Sequence, residues 1–199
     1  MKNPHMYSHK SNVTVNDMSV DIFKSMLVGA PNVGKSSILR RYKFDEFSES
    51  YTATIGVDMS ASTFDFPTGK VVLTLIDIGG QPAFTDVQNA FFAGTHHIIF
   101  IYDVTKESTF KRIPDLYELL SKKIYGGEAG FVSGSLVANK IDLGKKRIVT
   151  REDGILTSNI LSLKYFEVSA KTGEGVSEVF THAASECSHT EQPAIKGYL

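Results

Sequence analysis

One segment of the chain matches the phosphate-binding pattern GxxxxGK[ST]: Gly29-Ala30-Pro31-Asn32-Val33-Gly34-Lys35-Ser36. Its residue types and their spacing predict that it binds phosphate. Between a strand and a helix, the backbone N–H groups of such a loop and the amino end of the helix form a positive concavity for phosphate. We therefore predict that Lys35 reaches the terminal phosphates of a nucleotide and that the Ser36 hydroxyl ligates a magnesium ion. The loop alone does not separate GTP from ATP, so ATP-using enzymes remain an alternative.

Two further runs, Asn139-Lys140-Ile141-Asp142 and Ser169-Ala170-Lys171, could recognise the base of that nucleotide. The Asp142 carboxylate can accept hydrogen bonds from the N1–H and the 2-amino group of guanine, whereas adenine has no such donor pair. The simpler alternative for the first run is a helix cap after a strand. Its position in the second half of a chain with a phosphate loop favours a guanine site.

The elements that must position these residues follow from hydrophobic patterning. Short apolar runs, each ending at a polar residue or glycine, occupy residues 23–28, 71–76, 98–102, 136–138 and 165–168. This pattern is expected at the carboxyl edge of a parallel sheet, where ligands bind. Segments of helical period lie between the apolar runs: 36–44, 82–93, 116–124, 151–161 and 176–185. A further strand at about 58–66 should pair antiparallel with 71–77. We predict an α/β fold with a six-stranded, mostly parallel sheet and helices on both faces.

The length, net charge and cysteine content of the chain exclude several classes of protein. The chain has 199 residues, of which 42% are hydrophobic, so it suits one domain, which we place at residues 21–187 between mobile tails at 1–20 and 188–199. A net charge of -1 argues against a nucleic acid polymer as the main partner. Cys187 is the only cysteine, which excludes an intrachain disulfide framework and fits a cytoplasmic protein.

The motifs and their order resemble the small GTPases of the Ras superfamily, most closely the Rab branch, over about residues 23–185. Residues 51–58 (YTATIGVD) look like the first switch of that family, and residues 77–81 (DIGGQ) look like the second. The resemblance implies the P-loop GTPase (G domain) fold. It also implies a molecular switch that binds GTP or GDP with Mg²⁺, hydrolyses GTP, and regulates membrane trafficking or signalling. The partners implied are a GTPase-activating protein, a nucleotide exchange factor and effector proteins.

The resemblance also implies roles for individual residues. Thr54 would join Ser36 on magnesium, and Asp77 would hold the ion through water. The catalytic group would be Lys35, the Gly80 amide at the γ-phosphate, and Gln81, which orients the attacking water. Phe47 would stack on guanine, for which core packing is the alternative, and Lys140 would lie along the base and sugar. The remaining nucleotide-binding positions implied are Gly29, Asn32, Val33, Gly34, Ser37, Tyr51, Asn139, Asp142, Ser169, Ala170 and Lys171.

Several positions depart from the family pattern. Ile78 and Gly79 replace the usual threonine and alanine, and Pro82 biases Gln81 away from the helical region. No arginine occurs between Tyr42 and Thr54, so we expect slow intrinsic hydrolysis that an activating protein accelerates. A nucleotide-binding scaffold with impaired hydrolysis is therefore an alternative.

The terminus also departs from the pattern. The sequence ends in KGYL without a cysteine to prenylate, which means either a member without a lipid anchor or a truncated sequence. We expect a cytoplasmic monomer, peripheral on endomembranes through partners.

Overall fold

One sheet runs through the computed structural model, which describes residues 20–49, 56–78, 91–124, 133–189 and 195–197. The strands follow the order β2-β3-β1-β4-β5-β6, and β7 pairs with β1. Their bounds are β1 Val20–Val28, β2 Val57–Phe66, β3 Gly69–Ile78, β4 His97–Asp103, β5 Gly134–Asn139, β6 Lys164–Val168 and β7 Ile195–Gly197. The predicted fold class is confirmed, with β7 added to the six predicted strands.

The pairing of the strands follows from their sequences. Every residue of β4 (HIIFIYD) and β5 (GSLVAN) is buried, which is typical of parallel strands covered on both faces. β2 has no buried residue and lies at the edge of the sheet. It pairs antiparallel with β3, and because Phe66 pairs with Gly69, the turn consists of Pro67 and Thr68. This is the antiparallel pair that the sequence predicted.

Five α-helices lie wholly within the described part of the chain: α1 Lys35–Phe44, α2 Glu107–Lys111, α3 Ile113–Ile124, α4 Arg151–Ile160 and α5 Val176–Ser188. Four of them match predicted segments within a few residues, and α2 was not predicted. A 3₁₀ segment at Ile141–Lys146 was also not predicted. The helix predicted over 82–93 falls mostly outside the described residues.

Two hydrophobic clusters cover opposite faces of the sheet. One includes Ile38 of α1 and Phe180 of α5, and the other includes Ile113 and Leu120 of α3. Helices on both faces leave the carboxyl edge of the sheet for ligands. No helix among the described residues combines the length and apolar character needed to cross a bilayer.

β7 fills a gap beside the first half of β1. β4 pairs only with Ser25–Val28 of β1, whereas β7 runs antiparallel to the start of that strand, with Val20 opposite Gly197 and Ile22 opposite Ile195. This strand lies within residues 188–199, which the sequence predicted as a mobile tail, and was not predicted. The pairing lies at the amino end of β1, away from the carboxyl edge where the predicted ligand residues meet.

Candidate functional site

The phosphate loop connects β1 to α1. Gly34 precedes α1 with a φ of 98°, and a Cβ there would collide with the Asn139 side-chain amide, so the position requires glycine. The Lys35 ammonium donates to the carbonyl oxygens of Gly29 (3.1 Å) and Ala30 (3.2 Å). Burial lowers the pKa of Lys35, and the charge of Asp77 opposes that shift. The loop therefore brings a buried lysine beside the amino end of a helix, an arrangement suited to a phosphate.

Ser36 and Asp77 form a polar pair below this loop. The Ser36 hydroxyl donates to Asp77 Oδ2, and Asp77 is fully buried at the end of β3. Burial raises the pKa of Asp77, while the Ser36 hydrogen bond and the Lys35 charge oppose the increase. Asp77 Oδ1 has no hydrogen-bond partner within the described ranges. A buried carboxylate oxygen without a donor, next to a hydroxyl oxygen, fits a hard divalent cation such as Mg²⁺.

Asn139 connects the phosphate loop to the end of β6. Its side chain is almost fully buried, and its Nδ2 donates to the Val33 carbonyl at 2.8 Å. Its Oδ1 accepts from the Ala170 backbone amide at 3.2 Å. The Val33 side chain is buried in the core, so Val33 contributes only its backbone carbonyl to this contact. One amide thus joins two segments that are more than 100 positions apart in the sequence.

Lys140 continues this connection from a left-handed backbone conformation with a φ of 71°. Its ammonium donates to the Asn32 carbonyl at 2.9 Å and forms an ion pair with Asp103 Oδ2 at 2.7 Å. Although burial raises the pKa of Asp103, hydrogen bonds from Lys140 and Thr105 hold it below the usual range. Asp103 thus fixes Lys140 against the phosphate loop.

Asp142 and Ser169 meet at the far end of the site. The Ser169 hydroxyl donates to Asp142 Oδ1 at 2.7 Å and accepts from the Thr172 amide at 3.1 Å. Asp142 is exposed, so its carboxylate can accept further hydrogen bonds from a ligand.

The segment after α1 closes one side of the site. Glu49 and Lys171 form an exposed ion pair at 2.7 Å, which lowers the pKa of Glu49 and raises that of Lys171. Phe47 is half-buried, borders the cavity and also packs against the core. Both interpretations that the sequence left open for Phe47 are therefore compatible with its position.

These residues surround one cavity of about 460 Å³. A volume of that size is sufficient for a small-molecule ligand. The cavity is lined by Pro31, Asn32, Gly34, Lys35, Ser36, Ser37, Arg40, Phe47, Ser48, Glu49, Asn139, Lys140, Asp142, Leu143, Ala170 and Lys171. Gly29, Val33, Asp77 and Ser169 support it without lining it. Tyr51, Thr54, Gly80 and Gln81 lie outside the described residues.

Two supporting residues, Asp103 and Arg41, were not among the predicted site residues. Asp103 ends β4 and follows the predicted strand 98–102, but the sequence assigned it no role in the site. Arg41 lies inside α1 and donates to the carbonyl oxygens of Ala170 and Lys171. No local pattern in the sequence indicates that contact.

Comparisons with known proteins agree on a family. The model of the Ras family matches residues 24–189. The chain is 38% identical to the Ras-related protein RabC of Dictyostelium discoideum over 161 residues, which are 80% of each chain. It is 37% identical to the Ras-related protein SEC4 of Saccharomyces cerevisiae over 159 residues, 80% of this chain and 72% of that protein. It is 32% identical to the Ras-related protein Rab-13 of Canis lupus familiaris over 165 residues, 83% of this chain and 79% of that protein.

Proposed function

Because this chain belongs to the Ras family of small GTPases and is most similar to its Rab members, we propose that it binds GTP and GDP with Mg²⁺ and hydrolyses GTP. The observation that carries the proposal is a single cavity with a phosphate loop at one end and Asp142 at the other. A guanine nucleotide has the matching chemistry, since its phosphates are anionic and its base presents the N1–H and 2-amino donors to a carboxylate.

The phosphate end of the cavity would hold both substrate and cation. Lys35 would move from its carbonyl partners to phosphate oxygens, while the amides at the start of α1 donate to the same anion. Ser36 and Asp77 would hold Mg²⁺, which supplies positive charge against the β- and γ-phosphate oxygens when bound. Thr54 would complete that ligand set in the GTP state, as the family resemblance implies.

The catalytic residues proposed beyond Lys35 are Gly80 and Gln81. Gln81 would orient water for attack on the γ-phosphorus as the bond to the GDP oxygen breaks, and the Gly80 amide would donate to the γ-phosphate. Ile78, Gly79 and Pro82 alter the usual sequence around them, which supports slow intrinsic hydrolysis. The same feature favours a second candidate, a nucleotide-binding scaffold with impaired hydrolysis.

Single-turnover hydrolysis separates the two candidates. GTP-loaded native protein and its Gln81→Leu variant would be followed by phosphate release, with and without cytosolic extract as a source of activating protein. A switch enzyme releases phosphate faster than the variant, and the extract increases that difference. Equal rates in both conditions would favour the scaffold.

The base site is tested by Asp142→Asn. An asparagine amide offers a donor to the 2-oxo group of xanthine in place of the second acceptor that guanine uses, so we expect the preference to move from GDP toward xanthosine diphosphate. Competition between the two nucleotides measures this, and Asp115→Asn, at an exposed position of α3, is the matched control. An unchanged preference for GDP would exclude the proposed role of Asp142.

The cellular role proposed is regulation of membrane trafficking or signalling through nucleotide-dependent binding of effectors. Its support is the similarity to Rab proteins. A GTPase-activating protein and an exchange factor would set the nucleotide state of a monomeric, cytoplasmic protein that reaches endomembranes through partners.

A further inference from the structure

Arg41 joins the helix that follows the phosphate loop to the loop that ends the base site. Its Nε donates to the Ala170 carbonyl at 3.0 Å, and its Nη2 donates to the Lys171 carbonyl at 2.8 Å. Its Nη1 donates to the backbone carbonyl and the carboxylate of Asp45, each at 2.7 Å. The guanidinium therefore bridges the last turn of α1 and residues 170–171, which are about 130 positions further along the chain.

We propose that Arg41 is a positioning residue for guanine recognition, and that it sets the preference for guanine by fixing the backbone of Ser169-Ala170-Lys171. The inference rests on the proposed nucleotide function. Arg41 touches no nucleotide in this scheme, because its side chain is directed to the two carbonyls and to Asp45.

The path from Arg41 to the base contacts is short. A trans peptide is planar, so holding the Ala170 carbonyl also fixes the direction of the Lys171 N–H. The preceding residue, Ser169, donates to the Asp142 carboxylate at 2.7 Å. A shift of the loop would therefore move the hydroxyl that holds Asp142, which is the group assigned to the N1–H and 2-amino donors of guanine.

Arginine is suited to this position for reasons of geometry. Two donors on one planar guanidinium reach two successive carbonyls, which a single ammonium cannot do with the same spacing. The Arg41 side chain is only 16% exposed, and its methylene stem packs beside Gly173, where a Cβ would lie 3.6 Å from Arg41 Cδ. By contrast, the Lys171–Glu49 pair on the same loop is exposed, so salt screens it and it contributes little to holding the loop.

The test compares Arg41→Met with native protein in binding GDP and inosine diphosphate, which lacks the 2-amino group. Methionine retains much of the apolar stem and removes every donor. We expect the Kd for GDP to rise about tenfold, as for loss of hydrogen bonds from a charged group. The GDP preference over inosine diphosphate should fall about threefold or more, since the 2-amino contact depends on Asp142.

Two variants control for folding and for charge. Arg41→Lys keeps the charge and should recover part of the guanine preference. If Arg41→Met does not fold, Arg41→Lys is compared with native protein in its place. Lys43→Met removes a positive charge from the same helix, where Lys43 contacts β2 instead of the base loop, and should leave the preference within about twofold of native.

Each outcome decides the inference. A reduced preference in Arg41→Met that Arg41→Lys partly restores supports the positioning role. If both Kd values rise equally, or if neither changes, Arg41 has at most a structural role and the inference is wrong. Native protein that does not prefer GDP over inosine diphosphate would instead contradict the proposed function itself.

Discussion

Asn139 uses both ends of its side-chain amide inside the site. Its Nδ2 donates to Val33 and its Oδ1 accepts from Ala170, and the side chain is shielded from water. Replacing it by alanine leaves a buried carbonyl and a buried N–H without partners. An uncompensated buried polar group costs more than the hydrogen bond contributes, because its hydration is also lost.

We expect Asn139→Ala to lower the free energy of unfolding by about 1–3 kcal/mol without nucleotide, measured by urea denaturation. Asn159→Ala is the matched control, because Asn159 is exposed near the end of α4 and should change stability by less than about 0.5 kcal/mol. Equal losses in the two variants would show that Asn139 does not hold the two segments together.

The sequence predicted Asn139 and missed Arg41 for a physical reason. A polar residue directly after a buried strand lies at the ligand edge of a parallel sheet whatever the rest of the chain does. The direction of a basic side chain on a helix depends instead on which distant loop packs against it. Helical period identifies the apolar face of α1, but the contact with residues 170–171 arises only in the folded chain.

Between elements, α4 approaches β4 and β6 closely at Gly154. A Cβ at this position would lie 2.5 Å from a ring carbon of Tyr165 and 2.7 Å from the Tyr102 hydroxyl oxygen. Tyr102 is fully buried, so its ring has little room to move. Glycine normally destabilises a helix interior relative to alanine, but the approach of the helix to the sheet reverses that preference here.

We expect Gly154→Ala to destabilise the protein by about 1–3 kcal/mol, measured by urea denaturation. The control is Gly144→Ala in the 3₁₀ segment, where a Cβ meets nothing within 4 Å. That change should be neutral or stabilising by up to about 1 kcal/mol, because alanine restricts the unfolded chain. A stabilised Gly154→Ala variant would mean that α4 moves away from the sheet at little cost.

The sequence predicted helices and strands correctly where the hydrophobic pattern was long or where the element is buried. β4 and β5 are continuous apolar runs, and the α5 face formed by Val176, Val179, Phe180 and Ala183 is buried as helical period indicates. α2 was missed because its five residues are too few to show a period. β7 was missed because three residues gain strand character only from pairing with β1.

At the scale of the whole molecule, the buried side chain of His97 links stability to pH. His97 is fully buried, its ring nitrogens lie 3.0 Å from the hydroxyls of Ser133 and Ser135, and His182 packs edge-on against it. Burial, together with the His182 charge, lowers the pKa of His97 to about 3. The unfolded chain binds a proton at this residue near pH 6.5, so between pH 6.5 and 3 the unfolded state holds more protons. The contribution of His97 to the free energy of unfolding is therefore fully present above pH 6.5 and decreases as the pH falls below that value.

We expect acidification from pH 7 to pH 5 to cost about 2 kcal/mol of unfolding free energy through His97. His97→Gln should remove most of that dependence, whereas His189→Gln, at an exposed position, should retain it. Urea denaturation at both pH values measures the difference. Identical pH dependence in native protein and His97→Gln would exclude His97 as the source.

The pairing of β7 with β1 has a mechanical consequence. Val20 and Gly197 are partners, so the two ends of the described fold meet at one point. Tension applied between those ends would act on this pair first. Because antiparallel hydrogen bonds run perpendicular to the strands, the hydrogen bonds between β7 and β1 would break one after another. The pairing of β1 with β3 and β4 does not depend on β7. A pull on both ends would therefore release the C-terminal strand while the cavity, at the opposite edge of the sheet, keeps its shape.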